Sequence, residues 1–349
     1  AQVVAPVNID WLQQRGERIV ITHQDLIAYA NPGYFGSPEG WEEHRALTRQ
    51  SLALADAAVF ISSYARSEAL AEELVAPDRA VVVPQGVDHA LFDGPPVRPA
   101  GVPDGEFLVL LGADFRHKNR PFAVRMAHAL RAEGWGGVLV LAGPAVEHGS
   151  SRAEEEAEMA RGTGVVRLGQ VSEAEKAWLY ANACLALYPT VSEGFGLVPF
   201  EAAAAGTACM FAPVSSLVEV VGEQLATIVP WDPEASAARA LELLRDAGAR
   251  AALATAIADR GNGYTWAKTA QLLVGVYRDV LSRPAQPAQA LMMGAQALPE
   301  VGRALVGPGG YLPPDVQRAL LAISTRPALR GPAFAALRAS YRALKRKRG

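Results

Sequence analysis

The chain has 349 residues, 50% hydrophobic and 20% charged, with a formal net charge of −3 and a mean hydropathy of +0.10. This composition excludes a wholly disordered chain, a collagen-like repeat and a small disulfide scaffold, and at roughly 150 residues per domain it predicts two domains. The charge is uneven: residues 283–349 hold 11 Lys/Arg against 2 Asp/Glu, net +9, while residues 1–282 carry −12. Cys184 and Cys209 lie in apolar stretches without metal-ligand spacing and read as buried free thiols of a reducing compartment. Long uncharged runs such as 202–218 contain Gly, Ser, Thr and Pro, so no transmembrane helix is predicted. The start, AQVVAPVNID, has neither the basic nor the apolar region of a signal peptide. It also lacks Met, which leaves open that the chain is a piece of something longer.

In chain order, the β-branched run 19–22 predicts a strand, followed by a loop from His23 to Ser37 with Asn31-Pro32-Gly33 as its turn. A helix is expected over 41–55, a buried strand over 57–62, a helix over 64–75 with Ser63 as N-cap, and a strand over 80–84. Residues 93–105 hold four Pro and three Gly and mark a boundary. The pattern then restarts with strand 107–112, helix 120–132, strand 137–142, helix 151–160 and strand 164–168. Helix 172–182 opens on the capping-box pattern Ser172-Glu173-Ala174-Glu175. Strand 184–188, helix 199–205, strand 207–212, helix 215–221, strand 225–229 and helices over 233–258 and 265–282 complete it. Short apolar strands alternating with helices mean parallel sheets covered on both faces. The expected fold class is therefore α/β, with two Rossmann-like domains facing across a cleft. The first, residues 1–95, has three good strands and is short for a doubly wound domain, so it is either abbreviated or entered partway. The second covers 96–264 and is followed by a crossing helix, 265–282, and then by a basic Pro/Ala/Gly-rich tail, 283–349.

Chemistry concentrates in 184–206, CLALYPTVSEGFGLVPFEAAAAG. A buried strand runs into Glu193-Gly194-Phe195-Gly196, and Pro199 opens the next helix. The glycines allow close backbone approach to a ligand, and the helix N-terminus offers free N–H groups to an anion such as a phosphate. Glu193 and Glu201, eight residues apart, flank that point; phosphate repels carboxylates, so they suit sugar hydroxyls better.

With this spacing, SEGFGLVPFEAAAAG resembles the signature of the retaining glycosyltransferases of family 4, which have the GT-B fold. Other segments resemble that family in the same order: Ala55-Asp56 with Phe60-Ile61-Ser62, Val83 to Asp88, the stretch LLGADFRHKN, Gly169 to Tyr180, Ser215 to Val220, and Tyr264-Thr265-Trp266. The likeness spans roughly 19–282 and is most specific over 107–221. It implies that a nucleotide-diphosphate sugar is the donor substrate. Glu201 would bind the ribose hydroxyls, Glu193 the transferred sugar, and Lys118 the diphosphate. Backbone N–H groups of Phe195, Gly196, Leu197 and Val198 would meet sugar and diphosphate, and Val171 the base. Many members carry an Arg five residues before the Lys; Ala113 stands there, and Arg116 is the expected substitute. His23 falls one residue before the place of the family's sugar-contacting His, which Gln24 holds, and is the second catalytic candidate beside Glu193. The family's N-terminal glycine-rich loop is missing.

The resemblance implies transfer with retention to a glycan or lipid-linked acceptor, as in polysaccharide or glycan biosynthesis, by a cytoplasmic, metal-independent enzyme. The alternative is a nucleotide-sugar-binding fragment or module that does not catalyse alone. No Asp-x-Asp pair or His/Cys/carboxylate cluster argues for a metal, and no G-x-G-x-x-G follows an N-terminal strand to argue for a nicotinamide cofactor. No cofactor and no nucleic-acid partner are expected. The basic tail reads either as a solvated linker or as a peripheral contact with the anionic inner membrane face.

Overall fold

A computed structural model describes residues 16–88 and 94–284, together with Ile9, Leu12 and Gln13. Two parallel sheets form. In the first, β1 (Val20–His23), β2 (Ala57–Phe60) and β3 (Ala80–Val82) lie in the order β1-β2-β3. Val20 pairs with Ala57, and Ala58 with Ala80. Alternate residues face opposite ways. Ile21, Ala58 and Phe60 pack on Leu52 of helix Pro38–Leu54 and on Ala65 and Ala69 of helix Ser63–Ala71. Ala57 and Val59 turn to the other face and meet Val276 and Val280 of helix Trp266–Ser282, which brings the end of the described chain back onto the first sheet. Thr269 Oγ1 donates to the Pro84 carbonyl at 2.7 Å along the same seam.

The second sheet holds β4 (Phe107–Leu111), β5 (Val138–Ala142), β6 (Val165–Gly169), β7 (Leu185–Tyr188) and β8 (Cys209–Phe211) in the order β6-β5-β4-β7-β8. Leu108, Leu110, Leu139, Leu141, Leu185 and Leu187 pack one face against helices Arg120–Ala132 and Pro233–Arg245. Val109, Leu111, Val140, Ala186 and Tyr188 pack the other against helices Glu173–Asn182 and Val198–Ala204. Apolar residues on both faces are what a fully covered parallel sheet demands. The chain enters at β4, builds outward through β5 and β6, and returns beside β4 as β7. The loops leaving β4 and β7 therefore diverge, and the crevice between them at the carboxyl ends is where an open parallel sheet takes its ligand.

Several expected elements differ. The strand over 225–229 does not form: the N–H groups of Thr227 and Ile228 both donate to the Phe211 carbonyl, with no continuing ladder. The helix over 233–258 is broken at Asp246, whose φ of −119° and ψ of 98° leave the helical region and whose side chain caps a new helix, Ala247–Gly261, through Ala249 N–H. Ser62, not Ser63, is the N-cap of helix Ser63–Ala71, accepting from Ala65 N–H at 3.1 Å; that helix stops at Ala71, and Glu73 takes a φ of +55°. The helix expected at 215–221 is a single π-helical turn, Val218–Gly222. The capping box at Ser172 and Glu175 is present in full. The expected basic tail lies outside the described residues from 285 onward.

Candidate functional site at the ends of β4 and β7

The loop after β4 is built on buried polar contacts. A Cβ at Gly143 would overlap the Gly112 carbonyl, so β4 and β5 leave their sheet in close backbone contact. Arg120, 1% exposed, donates to the carbonyls of Gly112 and Ala142 and pairs with Glu155 at 3.5 Å. Asp114 is also buried; its Oδ1 accepts from Val146 N–H at 2.8 Å. The loop then makes a 3-10 turn, Arg116–Lys118, and closes on Asn119 in the left-handed region (φ 53°), whose Nδ2 donates to the Pro189 carbonyl.

This geometry delivers Lys118 to the loop after β7. Its Nζ donates to Glu193 Oε1 at 2.6 Å and to the Tyr188 hydroxyl at 3.2 Å, and lies over the Tyr188 ring. Lys118 and Glu193, 75 residues apart in sequence, thus close the switch-point crevice with an ion pair whose side chains are only 19% and 10% exposed. Glu193 is held on every side: Thr190 Oγ1 lies 2.8 Å from Oε1, its own N–H donates to Ser215 Oγ at 2.9 Å, and Ser216 Oγ donates to its carbonyl at 2.8 Å. Tyr188 is buried, which with the neighbouring Glu193 charge pushes its phenol well above the usual range and keeps it protonated.

The two glycines act differently. Gly196 has a φ of +91°, which requires glycine. Gly194 is needed because a Cβ there would overlap the Gln24 carbonyl. The body that approaches the glycine loop at Gly194 is the segment after β1. His23, the residue before Gln24, is the last of β1; it is 2% exposed and meets the Phe60 ring edge-on at 6.3 Å. Tyr64 N–H also crosses from the first sheet, donating to Glu219 Oε1 at 3.2 Å.

Glu201 sits in the first turn of helix Val198–Ala204, whose N-terminus has no side-chain cap. It accepts from the Tyr180 hydroxyl at 3.1 Å and faces Lys176 Nζ at 3.5 Å, with 27% of its side chain exposed. Leu197 and Val198 are half-buried beside it; the Phe195 ring is buried edge-on to Tyr264. Val171 is half-buried beyond the end of β6, packed on the same core. Arg116 does not join the Lys118 cluster. It donates to Glu154 at 2.9 Å and to the Ser150 carbonyl at 3.2 Å, and is exposed. Tyr188, Thr190, Ser215 and Ser216 were not singled out as site residues, although Ser215 and Ser216 lie in a motif the sequence displays. Among the described residues no three His, Cys, Asp or Glu side chains gather as a metal site, and no helix is long and apolar enough to cross a membrane.

Residues 106–246 match the family described as Glycosyl transferases group 1. The D-inositol 3-phosphate glycosyltransferase of Kineococcus radiotolerans is 35% identical over 227 residues, 58% of this chain and 52% of that protein. The chain spans about half the length of the curated relatives matched over the longest stretches. Among solved structures, sucrose-phosphate synthase from Thermosynechococcus elongatus superposes with a TM-score of 0.61 at 23% identity, covering 78% of this chain and 71% of that one. Anabaena HepE in complex with UDP gives 0.62 at 16%, covering 78% and 76%. The fold is α/β with parallel sheets arranged as in these GT-B proteins.

Proposed function

We propose that this chain binds a nucleotide-diphosphate sugar in the crevice at the ends of β4 and β7 and transfers the sugar, with retention and without a metal, to a hydroxyl of a glycan or lipid-linked acceptor. The observation that carries the reading is the Lys118–Glu193 pair at the switch point, with Glu201 eight residues further on. A diphosphate entering the crevice replaces Glu193 as the partner of the Lys118 ammonium. Glu193, held by Ser215 and Ser216, is left to accept a hydrogen bond from a sugar hydroxyl. Glu201, backed by Tyr180 and Lys176, accepts from the ribose diol. As the bond from the sugar to the diphosphate oxygen breaks, negative charge grows beside Lys118, where a pre-placed cation stabilises it most. The acceptor oxygen bonds to the sugar carbon from the same face, and its proton passes to the departing oxygen. The names of the curated relatives, all glycosyltransferases, and the UDP in the HepE structure support this reading.

Titration of the full chain with UDP, GDP and ADP, each beside its nucleoside, tests it. Charge-assisted hydrogen bonds contribute about 1.5–3 kcal/mol. Lys118→Ala is expected to weaken the preferred diphosphate roughly tenfold or more and spare the nucleoside, whereas Glu201→Ala weakens both by a similar factor. Diphosphate affinity unchanged in Lys118→Ala would sink the assignment. The anomeric configuration of the product by NMR tests retention, and undiminished turnover in chelator tests metal independence. The reading extends to a cytoplasmic enzyme whose basic residues 283–349 meet an anionic inner leaflet; sedimentation with anionic vesicles before and after neutralising Lys345, Arg346, Lys347 and Arg348 checks that part.

A further inference from the structure

The segment after β1 reaches across the cleft at Tyr34. Asn31 leads into a 3-10 turn, Pro32–Tyr34, which carries the Tyr34 ring against Phe115, His117 and Gly149 of the other unit. Phe115 and His117 flank the ring at centroid distances of 5.4 and 5.8 Å, and Gly149 lies against it; a Cβ at Gly149 would come within 2.8 Å of the ring. Beside it, Gly36 faces the His148 ring so closely that a Cβ would sit 3.0 Å from it. The phenol is fully engaged: His117 backbone N–H donates to its oxygen at 3.3 Å, and the oxygen lies 2.6 Å from His117 Nδ1. With the phenol as donor, Nδ1 is the acceptor and the neutral imidazole carries its own proton on Nε2. Burial and the neighbouring Lys118 push His117 down to about 4, and burial raises Tyr34, so the imidazole is neutral and the phenol protonated at pH 7.

His117 is covalently next to Lys118. Its carbonyl accepts from Val191 N–H at 2.8 Å and lies 2.9 Å from Thr190 Oγ1, the hydroxyl that also touches Glu193. His117 therefore joins three segments: the Tyr34 turn of the first unit, the Lys118 turn after β4 and the Glu193 loop after β7. We propose that Tyr34 is a positioning residue: by locking His117 from across the cleft it sets the place of Lys118 for the donor diphosphate. The proposal rests on the donor-site reading above and adds to it a residue from the opposite unit that acts through His117. In the absence of the Tyr34 hydroxyl the 3-10 turn Arg116–Lys118 keeps its fold, because Asp114, Asn119 and Arg120 still tie it down, but loses the contact that fixes its outer side.

Tyr34→Phe keeps the ring in its socket and removes only the hydroxyl. In the full chain, with UDP, GDP and ADP as probes beside their nucleosides, this variant is expected to weaken the preferred diphosphate roughly five- to tenfold. The nucleoside affinity is expected to stay unchanged. In a Lys118→Ala background the same substitution is expected to have no further effect, because Tyr34 acts through Lys118. His117→Asn, which offers an amide oxygen in place of Nδ1, is expected to hold diphosphate affinity within about twofold of the parent, whereas His117→Leu matches Tyr34→Phe. Equal losses for diphosphate and nucleoside, an undiminished effect in the Lys118→Ala background, or no effect at all each overturn the proposal. Failure of the donor-site reading is told apart by Lys118→Ala alone: if that variant binds diphosphate normally with Tyr34 intact, the reading falls and this proposal with it.

Discussion

The loops after β4 and β7 are tied down chiefly from within their own unit, whereas the loop after β1 is held from its own unit at its start and ends its outer turn against the opposite one. Around Lys118, Arg120, Asp114 and Asn119 bond to backbone of the same unit; around Glu193, Ser215 and Ser216 do. The loop after β1 has the Asp25 side chain accepting from Ile27 N–H and Trp41 Nε1 donating to the Tyr29 carbonyl. Its outer turn ends in the socket of Phe115, His117 and Gly149. A site that must meet a charged donor gains most from side chains fixed before the donor arrives. The difference between the two sides is thus one between a preorganised face around Lys118 and Glu193, the donor side in the function proposed above, and a face that docks onto it.

The largest test of this contrast lies in its buried arginines. Arg120 and Glu155 are 1% and 0% exposed; Glu155 keeps Arg167 at 2.5 Å when Arg120 is removed, but Glu155 and the carbonyls of Gly112 and Ala142 each lose a buried charged donor, at about 3–5 kcal/mol in all. Arg120→Met is expected to destabilise by that amount in chemical denaturation. Its counterpart in the first sheet, Arg18 beside Asp56 at 3.1 Å, is 17% exposed. Asp56 also accepts from Ile19 N–H, so Arg18→Met is expected to cost about 1–2 kcal/mol. Equal losses would erase the distinction between the two units.

A second test is smaller and concerns the joint between them. His117 titrates near 4 in the folded chain against 6.5 when unfolded, so between those values the unfolded state binds more protons. Its contribution is fully present above pH 6.5 and is lost as pH falls toward 4, on the order of 3 kcal/mol across the window. His117→Gln has no such proton to bind and is expected to flatten that part of the stability–pH curve. An unchanged slope would mean that other groups dominate acid unfolding.

How far the sequence revealed this follows the range of the interactions. Strands such as 107–111 and 138–142 are continuous apolar runs, and the Ser172 capping box is complete within four residues, so both were legible. The Glu193 and Glu201 spacing was legible for the same reason, being contained in one loop and helix. The Lys118–Glu193 pair was not, since it depends on β7 returning beside β4. The expected strand over 225–229 failed because a β-branched run says nothing about whether a neighbour has free ladder positions; here two amides share the Phe211 carbonyl. The partner of Arg116 was equally hidden, since sequence places it near Lys118 whereas Glu154, 38 residues on, takes its guanidinium. Tyr34 offered only a turn signal, Asn31-Pro32-Gly33, with no sign of its socket 80 residues away.

The smallest expected effect separates support for position from support for stability on the donor face. Ser215 holds a left-handed φ of +49° while its Oγ accepts from Glu193 N–H. A non-glycine residue in that region costs roughly 1–2 kcal/mol, and the hydrogen bond returns about 1. Ser215→Gly removes both, so its stability is expected to lie within about 1 kcal/mol of the parent. Ser216→Ala removes only the bond to the Glu193 carbonyl, with no strain to relieve, and is expected to lose about 1–2 kcal/mol because the site is buried. Both variants free one end of the Glu193 backbone, so both are expected to weaken the preferred nucleotide sugar about two- to threefold relative to the bare nucleoside diphosphate, which does not need Glu193. If Ser215→Gly leaves nucleotide-sugar affinity untouched, the left-handed serine is a local accident of the turn. If affinity falls while stability holds, strain at Ser215 is maintained because it places Glu193, as expected of backbone strain kept at a working site.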